Sequence, residues 1–281
     1  MSSWLQVNIK STPMQIEALC GFVPELTGRG VEIIDENEEQ WELVAFLDYN
    51  NSQQLRELNL FLEKMPEPYA LNSKELANQD WHKNWRRNFS PFQLTEQIWI
   101  APPWEMPETS NGKLVIIIDP GQAFGTGQHE TTHLCLLHLQ DLSRRMPPAM
   151  LDVGCGTGIL GLAFLKLGGR QALAIDTDPL AREAARHNAR LNNLPALMVS
   201  DKLLSEVDEP FPLITANITA QDLSHLAPRL AAGLTPGGLL ICSGILQPQA
   251  EAVISAMQAR GLQLLEQNQI REWVSLLFRK E

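Results

Sequence analysis

The run Leu151-Asp152-Val153-Gly154-Cys155-Gly156-Thr157-Gly158, with Asp176 about one helix further on, constrains this chain more than any other feature. Apolar residues lead into glycines at alternate positions and then into a helix-periodic apolar segment, Ile159 to Leu167. Glycines in that pattern predict a tight turn where backbone approaches a ligand that a Cβ would block. The helix that follows aims its N-terminal amides and positive dipole end at the same point. Asp176 ends the next apolar run, Gln171 to Ile175. In a β-α-β unit that puts a carboxylate at the second strand tip, where it can bind ribose hydroxyls. The pattern therefore predicts an adenosine-bearing ligand.

Two ligand classes compete. Gly156, Gly158 and Gly161 also satisfy the dinucleotide fingerprint G-x-G-x-x-G. Asp152 tips the balance, because a carboxylate beside the loop repels a pyrophosphate and attracts a cation. S-adenosyl-L-methionine carries a sulfonium and an ammonium. Asp-x-Gly-x-Gly-x-Gly resembles the first motif of class I methyltransferases that use that cofactor, with S-adenosyl-L-homocysteine as product.

The 281 residues suffice for two ordinary domains, and 44% hydrophobic content suits a globular chain. A net charge of −11 argues against direct nucleic-acid binding and is compatible with a basic protein substrate. Four dispersed cysteines in apolar stretches predict reduced, mostly buried thiols. With no signal pattern and no long apolar span, a cytoplasmic protein without membrane contact is expected, acting as a monomer.

Residues 1–76 alternate as strand, helix, strand, strand, helix, strand, the ferredoxin-like split motif, with Thr12 and Ser52 as predicted helix caps. Residues 77–110 carry Trp81, Trp85, Trp99 and Trp104 with Lys83, Arg86 and Arg87 interleaved, and are expected as an interdomain linker or a substrate-gripping surface. Residues 111–281 alternate strand and helix. This predicts an α/β, Rossmann-like, mostly parallel sheet beginning at 114–119 and ending in an antiparallel edge hairpin.

A second glycine-rich stretch, Asp119 to Thr132, is expected to line the site, with Phe124, Gly125 and Thr126 against cofactor or substrate. It also contains His129-Glu130-Thr131-Thr132-His133, which matches the zinc-protease pattern H-E-x-x-H. The motif lacks the zincin continuation and lies where a helix is only starting, so no metal is expected. Asn217 ends an apolar strand at the sheet's ligand edge and can accept a hydrogen bond from an amine. Asp201, after a further strand, is placed to face an adenine amino group.

With those residues in view, the chain resembles the bacterial methyltransferase family of large-subunit ribosomal protein L-eleven. The resemblance is carried by Asp119-Pro120-Gly121-x-Ala123-Phe124-Gly125-Thr126-Gly127-x-His129-x-Thr131-Thr132, by Asp80-Trp81 with Trp85, and by Ile98-Trp99-Ile100. It implies a ferredoxin-like substrate-recognition domain, a linker and a class I methyltransferase domain. It also implies methylation of lysine ε-amines and the N-terminal α-amine of that ribosomal protein. By similarity, Thr132, Gly154, Asp176 and Asn217 match cofactor-binding positions, with Asp152, Gly156 and Asp201 beside them. Asn217 and the Phe124–Thr126 backbone would orient the amine, and His129 would relay its proton. Glu130, where the family often has Pro, and Ile218-Thr219, where Ile-Leu is common, are departures. The alternative is a class I methyltransferase for another protein or a small-molecule amine.

Overall fold

A computed structural model of the chain describes residues 4–27, 30–35, 40–48, 51–65, 69–76, 89–108, 112–120 and 123–281. Trp81, Lys83, Trp85, Arg86 and Arg87 lie outside them. The chain divides into two compact units, Met1–Asn88 and Phe89–Glu281.

The first unit runs β1 (Trp4–Ser11), α1 (Pro13–Thr27), β2 (Glu32–Asp35), β3 (Trp41–Asp48), α2 (Ser52–Leu62) and β4 (Ala70–Leu76). Its sheet has the order β2-β3-β1-β4 with every pair antiparallel. Alternation puts Val7, Ile9, Leu43, Ala45 and Leu47 on one face, against Ile16, Leu19, Val23, Leu58 and Leu62 of the helices. Two local expectations are corrected. Asn51, not Ser52, caps α2: Ser52 is already the first helical residue, and Asn51 Oδ1 accepts from the amides of Gln53 and Gln54 at 3.2 and 3.3 Å. Helix α1 continues past Phe22 to Thr27 and accommodates Pro24 inside it.

The second unit opens with β5 (Phe92–Gln93), β6 (Ile98–Ala101) and β7 (Leu114–Ile117). These form their own three-stranded sheet, β6 and β7 running parallel. The strand expected to open the main sheet is therefore not part of it. Its backbone is taken up by β6 on one side, and the Ile117 N–H and C=O by the Asn192 side chain at 2.9 and 2.6 Å. Trp99, expected in a linker, lies within β6.

The main body follows as α3 (Glu130–Leu142), β8 (Ala149–Val153), α4 (Ile159–Lys166), β9 (Gln171–Ile175), α5 (Pro179–Leu191), β10 (Leu197–Ser200) and β11 (Phe211–Asn217). It ends with α6 (Ala220–Ala232), β12 (Leu234–Leu246), α7 (Ala250–Gln258), β13 (Leu262–Ile270) and β14 (Trp273–Lys280). The seven strands have the order β10-β9-β8-β11-β12-β14-β13. They are parallel up to β12, and β14 inserts antiparallel between β12 and β13. One face is covered by α3, α4 and α5 and the other by α6 and α7. The order reverses between β8 and β11, so the crevice where such sheets bind ligands opens at the ends of these two strands.

Asp152 sits in that core, 1% exposed, with Oδ1 accepting from the Thr215 hydroxyl of β11 at 2.7 Å. Burial pushes its carboxyl up to about 6. The Thr215 bond opposes the shift and the nearby charge of Asp176 adds to it. Between the unfolded value of roughly 3.9 and about 6, the folded chain keeps a proton that the unfolded chain has released. Stability from this group is therefore present at low pH and lost as pH rises through that window. In Asp152→Asn this slope should vanish. Denaturant unfolding of variant and wild type should show their stability difference moving in the variant's favour by roughly 2 kcal/mol from about pH 4.5 to about pH 7.5.

Candidate functional site

The turn after β8 is closed by its own amides. Gly154 and Cys155 N–H both donate to the Ile175 carbonyl, at 2.9 and 3.1 Å. Gly156 N–H donates to Asp176 Oδ2 at 2.9 Å, and Asp178 N–H to Asp176 Oδ1 at 2.9 Å. Arg182 Nη1 donates to the Asp176 and Thr177 carbonyls at 2.8 Å. Asp176 is thus locked at the end of β9, and each carboxylate oxygen keeps acceptor capacity for a further donor. Gly154, Gly156 and Gly158 all have positive φ, at 70°, 54° and 79°.

The structure corrects what those glycines make room for. A Cβ on Gly156 would lie 2.3 Å from the Phe124 carbonyl oxygen, and one on Gly154 2.6 Å from Ile218. On Gly161 it would lie 2.5 Å from Leu197. The vacated space is filled by other parts of the chain, because the turn is wedged between the Phe124 loop, α5 and the ends of β10 and β11.

Beside the turn lies a cleft of about 540 Å³ whose lining includes Gly154, Asp176, Thr177, Leu203, Ile218 and Leu226. It combines apolar walls with a fixed carboxylate at a size suited to a small cofactor. Asp201 is exposed and is not part of that lining, whereas Lys202 and Leu203 are. Asp152 is not part of it either, being enclosed beneath the turn. Another hollow, of about 530 Å³, lies against the C-terminal end of α5 around Arg186 and Arg190, with no residue of the glycine turn in its lining.

The Phe124 loop covers the turn's other side. Its Phe124 carbonyl accepts from Thr157 N–H at 2.9 Å, and its Gly125 carbonyl accepts from Thr157 Oγ1 at 2.5 Å. The Phe124 ring is 57% exposed, and Thr126 is half-buried. His129 caps α3 in an extended conformation, with Nδ1 accepting from Thr131 N–H at 3.3 Å. The first histidine of H-E-x-x-H is therefore outside the helix, its Nδ1 turned to the chain. In the neutral ring that cap leaves the proton on Nε2. The His129 ring meets Phe124 edge-on at 5.6 Å and Trp273, at the start of β14, at 4.8 Å between centroids. Trp273 was missed from sequence; its signal was an aromatic directly after the polar turn Arg271-Glu272.

Four buried side-chain atoms have no hydrogen-bond partner among the described residues: Thr132 Oγ1, His138 Nδ1, Asp152 Oδ2 and Asn217 Oδ1. Thr132 lies in the first turn of α3 and Asn217 at the end of β11. Nearly all buried polar atoms in folded proteins are satisfied, so each of these calls for a partner that the described chain does not supply. Asn217 follows Ala216, which is aligned with Val153, so Asn217 and Gly154 share the carboxyl edge of adjacent strands.

Comparison with known proteins agrees with this arrangement. A family model described as ribosomal protein L11 methyltransferase (PrmA) matches residues 3–281. Relatives with that name include one from Pelobacter propionicus, 33% identical over 99% of this chain and 97% of its own. Another, from Geobacter metallireducens, is 35% identical over 98% of both chains. The crystal structure of ribosomal protein L11 methylase from Lactobacillus delbrueckii subsp. bulgaricus matches with a TM-score of 0.64 at 34% identity, covering 69% of this chain and 100% of that one. The strand order and crevice described above are those of a class I methyltransferase, and with a match running almost end to end the chain belongs to the ribosomal protein L11 methyltransferase family.

Proposed function

We propose that this chain methylates large-subunit ribosomal protein L11 on lysine ε-amines and the N-terminal α-amine, using S-adenosyl-L-methionine and releasing S-adenosyl-L-homocysteine. The observation that carries the reading is the Asp176 cleft at the glycine turn, in a chain of this family; the unpaired Thr132 Oγ1 and the unpaired Asn217 Oδ1, the latter next in sequence to the cleft residue Ile218, are consistent with it. Asp176 would hold the ribose hydroxyls, Ile218, Leu203 and Leu226 would flank the adenine, and Thr132 and Asn217 would complete their bonding on cofactor and acceptor. The bound cofactor supplies an electrophilic methyl group on a sulfonium.

The residues' task is mainly alignment, since displacement at a methyl group needs a neutral amine held in line. A lysine with a pKa of roughly 10.4 arrives charged and must shed a proton. Asn217 Oδ1 accepts an amine N–H and so turns the nitrogen lone pair towards the cleft. Phe124, His129 and Trp273 form an aromatic wall that holds the aliphatic stem and any cationic product. His129 serves that wall better than it serves as a base, because protonating Nδ1 would break the α3 cap; the amine proton then leaves to water. The net charge of −11 suits a basic protein substrate in the cytoplasm, where ribosomal proteins are met. The first unit, which lacks this chemistry among its described residues, would bind the substrate protein.

Incubating the chain with purified ribosomal protein L11 and S-adenosylmethionine should add mass in steps of about 14 Da, one per methyl transferred. No gain despite cofactor binding would move the acceptor to another protein or a small amine. Asn217→Ala should lower kcat on the order of 100-fold with the fold intact by circular dichroism. Near-normal turnover would remove Asn217 from the reaction. Deleting residues 1–76 should leave cofactor affinity, measured by calorimetry, within about 3-fold while protein methylation is lost. Unchanged methylation would give substrate recognition to the second unit.

A further inference from the structure

Thr157 stands in the middle of the glycine motif, yet none of its polar groups is free for a cofactor. It is fully buried and does not line the cleft. Its N–H goes to the Phe124 carbonyl, its hydroxyl to the Gly125 carbonyl, and its carbonyl accepts from Asn188 Nδ2 at 3.0 Å. Asn188, also buried, uses Oδ1 to accept Asp119 N–H at 2.9 Å, just before the Phe124 loop. One turn on, Asn192 holds both polar groups of Ile117 and ties its own Nδ2 to the Asn188 carbonyl at 2.9 Å. His187 Nε2 meets Asp119 Oδ2 at 3.1 Å on the outside of the same joint. The close approach is enforced from both sides: a Cβ on Gly125 would lie 2.9 Å from Thr157 Oγ1, and one on Gly156 2.3 Å from the Phe124 carbonyl oxygen.

We propose that Thr157 and Asn188 are positioning residues for methyl transfer, a latch that fixes the Phe124 loop on the glycine turn and so sets the acceptor wall relative to the cofactor cleft. The inference rests on the proposed methyltransferase reading. The latch runs from Asp119, through α5 and the turn, to the Phe124 and Gly125 carbonyls. Neither Thr157 nor Asn188 lines the cleft. Loss of the latch therefore acts on alignment of the amine more than on affinity for the cofactor. A hydroxyl buried against a carbonyl is a short, directional tie, and a displacement of about 1 Å in the acceptor wall can cost on the order of 100-fold in rate.

The test compares Thr157→Val and Thr157→Ser in the full chain, with S-adenosylmethionine affinity by calorimetry and kcat and KM on ribosomal protein L11. Thr157→Val should bind cofactor within about 3-fold of wild type yet lose 10- to 100-fold in kcat/KM for the protein, and Thr157→Ser should recover most of that loss. Cofactor affinity falling in step with turnover would overturn the latch and make Thr157 part of the cofactor site. Equal behaviour of Val and Ser would overturn it too. An independent readout needs no activity. Amide exchange at Asp119 and Thr157 should quicken at least 10-fold in Asn188→Ala while β12 and β14 amides stay protected. Unchanged exchange at Asp119 and Thr157 would overturn the latch even if Thr157→Val fails to fold. Should wild type itself transfer no methyl to this protein, the methyltransferase reading of the acceptor fails, and the exchange result still decides whether the latch exists.

Discussion

Everything near the site depends on how closely two loops approach each other. The turn after β8 and the loop before α3 touch through carbonyl, amide and hydroxyl at Phe124, Gly125 and Thr157, with no side chain between Gly156 and the Phe124 carbonyl. The φ of 54° at Gly156 would cost another L-residue on the order of 1 kcal/mol, and the 2.3 Å approach would force backbone to move as well. Backbone contact of this kind cannot be adjusted by choosing another rotamer. It places the Phe124 loop, which leads into the His129 cap and the first turn of α3, where Thr132 lies.

The glycine turn was legible because it is local: apolar run, turn and helix stand in sequence order, and β8 and β9 fall at 149–153 and 171–175 as periodicity predicts. What the missing Cβ atoms make room for was not legible. Ligand approach and chain approach demand the same residue type, and only the fold shows Phe124, Leu197 and Ile218 occupying the space. The β7 strand illustrates another limit. Its apolar run announces a strand, but its pairing with β6 and its capture by Asn192, across 75 residues of sequence separation, are non-local. Asn188 and Asn192 were passed over for the same reason. On a helix whose buried face is otherwise Ala181, Ala185 and Ala189, two amides four residues apart are an anomaly that can be noticed, but their partners cannot be named from sequence.

The buried polar groups divide along the same line. Some are consumed by the fold. His138 uses Nε2 at Ser275 Oγ, 3.0 Å away, while its Nδ1 has no partner, and burial holds its imidazolium form down despite Glu266 and Asp141. That histidine pins α3 to β14, the strand that carries Trp273. Others are left open: Thr132 Oγ1 lies in the helix that His138 anchors, Asn217 Oδ1 at the end of the strand that Thr215 ties to Asp152 Oδ1, and Asp152 Oδ2 beneath the turn. Their supporting elements are held firmly, so the unpaired atoms are presented in fixed positions. Leaving such atoms open costs about 1–3 kcal/mol each in stability, a cost a ligand can recover on binding.

That division bears on how an acceptor amine would be held through more than one transfer. A neutral primary amine offers two N–H bonds, a secondary amine one and a tertiary amine none. A grip through Asn217 Oδ1 weakens with each methyl and is absent for the last. The aromatic faces change in the opposite sense: each methyl adds apolar surface, and a quaternary product keeps its charge while losing every hydrogen-bond donor. Under the proposed reading, Phe124, His129 and Trp273 would thus supply orientation where Asn217 ceases to. The aromatic wall would depend on the Phe124 loop staying where Thr157 and Asn188 hold it, since a wall shifted by an ångström loses alignment that a tertiary amine has no hydrogen bond to restore.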